Sequence, residues 1–391
     1  MEKTPMSMRK HIGIVGNTNA GKSSLFNALL GQEVAIVSAI SGTTTDPVIK
    51  AMELVDYGPV ALVDTAGLGD DTALGMKRIE KTNEILNRCD ILLWVRAVEN
   101  FADKSSFNPK TPAIKVFTKC DIAEKSLVEE VKRQNPDAVF LYGYAEKEIE
   151  ALKLKMAEEL KKQQSDTETM LGDIVGENET VVMVVPIDSA APKGRLILPQ
   201  VQAIRDCLDN NIRAVCVKPE MLEKTLADIP KTALVVTDSQ IFGEVAKLIP
   251  EDIPLTSFSM LLANQKGRIN QLIDGTKMID KLKDGSKILM LEACTHSTTH
   301  EDIGKVKIPM LLRKKTGKQL DFTHLSGYDF PKNIDEFDLV IQCGGCMINK
   351  KTIQSRLEIL EEKGIPVTNY GVVLAFLNGI SQRASKIFIK D

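Results

Sequence analysis

Aromatic side chains make up only 5% of 391 residues, with a single tryptophan and four histidines, and that scarcity narrows the chemistry at once. A nickel or cobalt metallochaperone with a histidine-rich tract is not supported by four histidines in the whole chain. Long apolar runs are missing too. None reaches the roughly 20 residues that span a bilayer, and Met1 leads through a polar stretch straight into residues 12–15 without a secretory pattern. A cytoplasmic protein with no membrane partner is expected. Nor is there an excess charge of one sign: 50 Lys and Arg against 53 Asp and Glu give a formal charge of -3. That balance leaves no broad basic surface to displace counterions from nucleic acid, so nucleic acid is not the expected partner. The seven cysteines are irregularly spread except near the C-terminus and lack the dense, even-numbered framework of a small secreted domain. Reduced thiols or metal ligands are expected instead of disulfides.

What the sequence does have is enough apolar content, 43%, to fill two or three cores. Short apolar runs at 91–95, 113–117 and 138–141 alternate with helical patterns, which predicts α/β architecture with mostly parallel sheets. The pattern divides the chain into a first α/β domain at 1–163, a polar linker at 164–180, a middle α/β domain at 181–274 and a last one at 275–391. No internal repeat is apparent.

The segment Gly16-Asn17-Thr18-Asn19-Ala20-Gly21-Lys22-Ser23 fits G-x-x-x-x-G-K-S between an apolar run and a helical pattern, the context of a P-loop. Gly16, Asn19, Gly21 and Ser24 belong to its phosphate-facing stretch; Lys22 is expected to reach the β- and γ-phosphates, and Ser23 to hold Mg²⁺. Asp64, ending the run 60–63 within Asp64-Thr65-Ala66-Gly67, is placed to meet Mg²⁺ through water, and the Gly67 N–H to meet the γ-phosphate. In Gly42-Thr43-Thr44-Thr45-Asp46, Thr44 is the expected switch threonine on Mg²⁺, with Thr43 the alternative. Lys22, Thr44 and Gly67 are thus the candidates for catalysis. Thr118-Lys119-Cys120-Asp121 matches the guanine motif N-K-x-D except at Thr118. The Asp121 carboxylate can accept from guanine N1 and N2, where adenine offers no such pair, and Lys119 can cover the base; GTP and GDP are the expected nucleotides. The last guanine motif is expected near Gly143-Tyr144-Ala145. Leu68 stands where Ras-like enzymes carry the water-orienting glutamine, so intrinsic hydrolysis is expected to be slow or to use another group.

In the last segment, the run 287–291 leads into Glu292-Ala293-Cys294-Thr295-His296, and 338–341 into Gln342-Cys343-Gly344-Gly345-Cys346. If both runs are parallel strands of one open sheet, Cys294, His296, Cys343 and Cys346 leave the same carboxyl edge. Three thiolates suit Zn²⁺ or an iron–sulfur cluster, and three Cys with one His would close a tetrahedral zinc site equally well. Cys346 is expected to open the helix carrying Ile353, Leu357 and Leu360, whose N-terminus would lower its thiol pKa. Cys89, Cys120, Cys207 and Cys216 have no ligand partners in sequence and are expected in cores or incidental positions.

Asn19, G-T-T-x-D and D-T-A-G-L together resemble the TrmE and Era branch of GTPases, which implies that Asn19 helps bind a catalytic K⁺. Such a G domain, joined to a middle α/β domain and a last domain with C-x-H and C-G-G-C, resembles the HydF family over essentially the whole chain. That family comprises the GTPase scaffolds of FeFe-hydrogenase maturation. The resemblance implies a homodimer formed through the middle domain. It also implies a 4Fe–4S cluster on Cys294, Cys343 and Cys346 with one exchangeable iron, and a di-iron precursor received from radical SAM enzymes and passed to apo-hydrogenase. The family commonly reads H-C-x-x-C, whereas Gln342 precedes Cys343 here. His296, a carboxylate such as Glu301 or Asp302, or water must then complete the fourth iron. The competing reading is a TrmE- or Era-like GTPase of tRNA modification or ribosome assembly with structural zinc; the RNA-reading module it needs is not evident after the G domain.

Overall fold

The structure, a computed structural model, describes residues 4–31, 48–64, 86–101, 111–163, 169–187, 193–293 and 302–389. It forms two compact units, Met1–Ser165 and Asp166–Asp391.

In the first unit, short β-branched and leucine-rich runs become the strands β1 (Lys10–Gly16), β2 (Val48–Leu54), β3 (Gly58–Asp64), β4 (Ile91–Ala97), β5 (Ala113–Thr118) and β6 (Val139–Phe140). They make one sheet of order β2-β3-β1-β4-β5-β6 in which only β2 runs antiparallel to its neighbour. β1, the central strand, is buried from His11 to Gly16, as a strand covered on both faces must be. The helices α1 (Lys22–Leu30), α2 (Lys125–Gln134) and α3 (Glu146–Lys161) pack on it. Leu25, Phe26 and Leu29 of α1 share a core with Ile12 and Ile14 and with Leu152, Met156 and Leu160 of α3. The chain leaves β1 toward β3 on one side and later returns to β4 on the other, so loops after β1 open at a switch point where α/β sheets bind ligands.

Burial holds the His11 imidazole down at about pKa 4, against an opposing backbone hydrogen bond to Arg9 and with the Arg88 charge adding to the effect. Unfolded, the same imidazole takes its proton near pH 6.5. The unfolded chain therefore binds more protons between those values, and stability falls as pH drops through that window. We expect the first unit to lose about 2 kcal/mol between pH 8 and pH 5 through this one group. Urea unfolding followed by Trp94, the single tryptophan, which lies on β4, measures it; His11→Gln should remove that share of the pH dependence, and an identical pH profile in the variant would refute it.

In the second unit, β7 (Thr180–Val184), β8 (Arg213–Val217), β9 (Thr232–Thr237) and β10 (Leu255–Ser257) form a parallel sheet of order β10-β9-β7-β8. The helices between and after these strands are α4 (Leu198–Asp209), α5 (Leu222–Asp228), α6 (Phe242–Leu248) and α7 (Phe258–Lys266). After α8 (Ile269–Gly275), a second parallel sheet follows, built of β11 (Lys287–Glu292), β12 (Asp321–Ser326), β13 (Leu339–Gln342) and β14 (Val367–Asn369) in the order β12-β11-β13-β14. It carries α9 (Ile308–Thr316), α10 (Lys350–Glu362), α11 (Tyr370–Leu377) and α12 (Ser381–Ser385). One core runs through both sheets, joining Val182 and Val235 to Leu261, Leu262, Ile353 and Leu357. Arg383 of α12 adds polar ties, donating to the carbonyls of Ala246, Ile249 and Ile253 at 3.0–3.2 Å.

The described part of the polar stretch ahead of β7 is packed chain. Met170, Leu171 and Val175 are buried in this core, and the Asp206 carboxylate accepts from the N–H groups of Met170, Leu171 and Gly172. Among the described residues no helix is long and apolar enough to cross a membrane.

Candidate functional site

The first candidate site lies at the carboxyl ends of β1, β3 and β5. Gly16 ends β1, Asn19 is left-handed (φ 61°), and Gly21, with φ 83°, caps α1. A Cβ on Gly21 would meet the Tyr144 hydroxyl at 2.4 Å, so both backbone and space require glycine there. Lys22, Ser23 and Ser24 follow as the first turn of α1, where free N–H groups and the helix dipole favour phosphate. Lys22 is 8% exposed and donates to the Asn17 carbonyl at 2.7 Å. Burial lowers its pKa to about 8, and the nearby Asp64 opposes that shift. Ser23 Oγ donates to Asp64 Oδ2 at 3.1 Å, while Asp64 Oδ1 is buried with no hydrogen-bond partner among the described residues. Burial raises the Asp64 pKa, with the Ser23 hydrogen bond and the Lys22 charge acting against it. A hydroxyl and a half-satisfied buried carboxylate, side by side at a helix start, are a donor set that fits Mg²⁺ and its water.

Thr118, fully buried at the end of β5, sends its hydroxyl proton to the Ala20 carbonyl at 2.8 Å, with Arg96 O at 3.3 Å. The threonine in place of asparagine thus ties the guanine motif to the phosphate loop through one hydroxyl. Lys119 follows in the left-handed region at φ 58°. Tyr144 donates to the Gly21 carbonyl at 3.2 Å, and its phenol pKa is raised by burial first and then by the Asp121 carboxylate, with Ser24 bonded to it. Lys119, Asp121 and the Tyr144 segment therefore gather beside the loop. Thr43, Thr44 and Gly67 lie outside the described residues.

If Asp121 reads guanine, Asp121→Asn should weaken GTP and improve xanthosine triphosphate binding, because amide and carbonyl then match the altered purine edge. One charge-assisted hydrogen bond is worth about 1.5–3 kcal/mol, tenfold or more in Kd. Competition binding with both nucleotides measures it, and an unchanged preference for GTP would remove Asp121 from base recognition.

The second candidate site is in the second unit. β11 and β13 are adjacent and parallel, with Leu291 opposite Gln342, so both deliver their next residues to one edge. This is also the switch point of that sheet, since β12 lies on one side of β11 and β13 on the other. The Cys343 N–H donates to Leu291 O at 2.8 Å, and the Cys343 sulfur accepts from the N–H groups of Ala293 at 3.0 Å and Gly345 at 3.3 Å. Ala293 is the residue before Cys294. Cys294, His296 and Glu301 lie outside the described residues, and among the described ones no group of three or more His, Cys, Asp or Glu gathers as a metal site.

Burial raises the Cys343 thiol pKa; the N–H groups of Gly345 and Ala293 oppose it, Cys346 adds to it, and Lys266 opposes it. Gly345 turns the chain at φ 69°, and a Cβ there would lie 2.9 Å from Ile353. The helix after this turn corrects one expectation. It opens at Lys350, capped by Asn349, whose side chain accepts from Thr352 N–H, so Cys346 lies a turn ahead of it and does not share its N-terminal amides. The sequence signal for that start was Asn349 itself.

Lys266, at the end of α7, went unnoticed in the sequence. It is 7% exposed and donates to the carbonyls of Gly345 and Ile348, the latter at 2.8 Å. Burial lowers its pKa to about 8, and negative charge on Cys346 and Cys343 opposes that shift. Gln342 is 3% exposed, with no hydrogen-bond partner for its Oε1 among the described residues, and Tyr370 donates to Glu292 at 3.2 Å, its pKa raised by burial and then by the charges of Cys343, Glu292 and Asp302. Asp302 accepts from Lys305 N–H at the next helical turn. A soft sulfur pair served by N–H donors and a buried ammonium is a donor set that suits a thiolate-bound metal or cluster. Cys89 and Cys207 are buried, and burial raises both thiols, Cys207 to about 12; Cys120 is raised to about 11 for the same reason. They are packing residues.

Residues 270–387 match the hydrogen maturase F tetramerization domain, residues 170–267 the hydrogen maturase F dimerization domain, and residues 11–128 a family described as 50S ribosome-binding GTPase. The tRNA modification GTPase MnmE of Helicobacter pylori (strain Shi470) is 40% identical over 129 residues, covering 31% of this chain and 28% of that protein. MnmE of Bordetella parapertussis is 38% identical over 121 residues, covering 29% and 27%. The chain spans about a quarter of the length of these curated relatives. A solved structure of Aquifex aeolicus Era with GDP and aluminium fluoride is 18% identical, covers 62% of this chain and 98% of that one, and has a TM-score of 0.34. The first unit carries a GTPase domain. The two maturase domains adjoin in the second unit and together span more than half of the residues, and the chain belongs to the hydrogen maturase F family.

Proposed function

We propose that this protein is a GTP-hydrolysing scaffold of FeFe-hydrogenase maturation, which holds a 4Fe–4S cluster, receives a di-iron precursor from radical SAM enzymes and delivers it to the apo-hydrogenase. The observation that carries the reading is the thiol edge: Cys343 and Cys346 at the switch point of the last sheet, with Ala293 and Gly345 donating to sulfur, inside a maturase domain. Cys294, Cys343 and Cys346 would hold the cluster, which when bound supplies an iron open to exchange. His296, Asp302, Glu301 and water stay candidates for that iron; Gln342, a buried neutral amide, is a poor one. In the first unit, Lys22 neutralises phosphate charge, Ser23, Asp64 and Thr44 hold Mg²⁺ and its water, the Gly67 N–H meets the γ-phosphate, Asn19 supports K⁺, and Asp121 with Lys119 reads guanine. The dimerization and tetramerization domains support a self-associating protein, with 181–274 as the dimer-forming region and 275–391 as the cluster region.

A tRNA-modification or ribosome-linked GTPase with structural zinc is favoured by the G domain alone, where the MnmE likeness covers 31% of the chain. Anaerobic iron and sulfide reconstitution with metal analysis and electron paramagnetic resonance decides between them. The expected result is one 4Fe–4S cluster per chain, and equimolar colourless zinc that survives the treatment would reverse the reading.

A further inference from the structure

The second unit is built from two copies of one plan. β7 to β10 and β11 to β14 have the same parallel order, in which the second strand flanks the first on one side while the third and fourth follow on the other. The fourth strands carry matching sequence: Ile253-Pro254-Leu255-Thr256-Ser257 and Ile365-Pro366-Val367-Thr368-Asn369. Val235 and Val340 donate to the carbonyls of Pro254 and Pro366, each at 2.9 Å. Ser257 and Asn369 cap α7 and α11 by accepting from Met260 and Val372, three residues on in each case. Gly267 and Gly379 follow both helices with positive φ. In this correspondence Cys343 and Cys346 fall opposite Asp238 and Ile241, and Lys266 falls opposite Asn378. The ammonium is present in the copy that faces thiols and replaced by a neutral amide in the copy that faces none.

A lysine in the last turn of a helix ordinarily reaches solvent along its apolar stem. Lys266 is buried instead, and its N–H groups go to carbonyls 79 and 82 residues away, in the turn that carries both cysteines. A buried cation held only by neutral carbonyls is costly, and negative sulfur beside it offsets that cost.

We propose that Lys266 is a positioning residue of the thiol site: it clamps the turn from Cys343 to Cys346 through Gly345 and Ile348 and, as a fixed counter-charge, raises the reduction potential of the cluster held there. This rests on the cluster reading. Net charge and hydrogen bonding around the sulfurs set such potentials, so removing the cation must favour the oxidised cluster. The helix that supplies it lies in the matched dimerization domain, and the thiols in the matched tetramerization domain, so the site is shared between them.

The test compares full-length wild type with Lys266→Arg, Lys266→Gln and Lys266→Met after anaerobic reconstitution, reading iron and sulfide per chain and then a redox titration by electron paramagnetic resonance. Lys266→Gln keeps N–H donors but no charge. It should load iron within about twofold of wild type, while at fixed ambient potential its ratio of reduced to oxidised cluster falls at least about tenfold, a shift of ~59 mV for one electron. Lys266→Met should also lose at least about half of its iron, and Lys266→Arg should keep both content and midpoint. A wild-type midpoint in Lys266→Gln would overturn the proposal, whatever the methionine variant does. If Lys266→Gln cannot load at all, loading by Lys266→Arg supports the need for charge, and joint failure overturns it. A wild-type chain that takes up no iron would sink the cluster reading and this inference together, whereas loaded but unaltered variants sink this inference alone.

Discussion

Lys22→Ala should lower Mg²⁺-dependent GTP hydrolysis by roughly a hundredfold or more, the usual scale for removing a positioned donor from a developing anionic charge. The ammonium is held in reach of phosphate by burial and by the Asn17 carbonyl, and it stands close enough to Asp64 to feel its charge. Replacing it removes a buried cation, and a neutral water in its place would carry no charge to set against the phosphate. Ser23→Ala should act through a different route. It removes the hydroxyl proposed to hold Mg²⁺ and, among the described residues, the hydrogen-bond partner of Asp64 Oδ2, so Mg²⁺ affinity falls along with turnover. Phosphate release measured across a Mg²⁺ titration separates the two: extra Mg²⁺ should recover part of the Ser23→Ala loss and none of the Lys22→Ala loss. Turnover like wild type in both variants would remove the phosphate site. Because the cysteines belong to the other compact unit, iron uptake should be unaffected in either variant.

The phosphate loop was legible because its parts are contiguous: a strand, a glycine-permitted turn and a helix start have to follow one another in sequence, and residues 16 to 24 do so. Thr118 looked like a departure from the guanine motif, and its meaning needed three dimensions, since the carbonyl it bonds belongs to Ala20, 98 residues earlier. The convergence of the strand ends before Cys294 and Cys343 was also readable, because parallel strands in an open sheet share a carboxyl edge; the pairing of Leu291 with Gln342 supplies the register. Two things were hidden. Ile353, Leu357 and Leu360 define the buried face of α10 but not its first residue, which is Lys350 behind the cap Asn349, four residues after Cys346. Lys266 carried no local signal, since a lysine ending a helix is commonplace. The duplicated Ile-Pro-x-Thr segments and the glycines eleven residues after each threonine were the one trace of the repeat, and substitutions elsewhere in the two copies mask it.

Cys343→Ala should abolish stable cluster loading, with iron per chain near background after anaerobic reconstitution, and Cys294→Ala or Cys346→Ala should lower it strongly. Cys343 is expected to matter most for a local reason. Its sulfur accepts N–H bonds from Ala293 and from Gly345, so it fixes the end of β11 against the turn after β13 as well as offering a ligand. Those two donors, together with the Lys266 cation, act against the burial that otherwise keeps the thiol protonated. A negative sulfur is the form that binds iron, so the same contacts that shape the turn also favour ligation. Alanine removes the ligand and leaves both N–H groups without their acceptor, a cost of about 1–3 kcal/mol for each that stays buried. Cys343→Ser keeps an acceptor but not a soft ligand; it should restore the thermal stability of the metal-free chain and not its iron. His296→Ala, by contrast, should retain a cluster even where maturation of hydrogenase is impaired, because three thiolates suffice to hold it. Iron and sulfide analysis beside thermal melts of the metal-free variants separates ligand loss from misfolding. Full iron content in Cys343→Ala would place the cluster elsewhere and leave the thiol edge as packing alone.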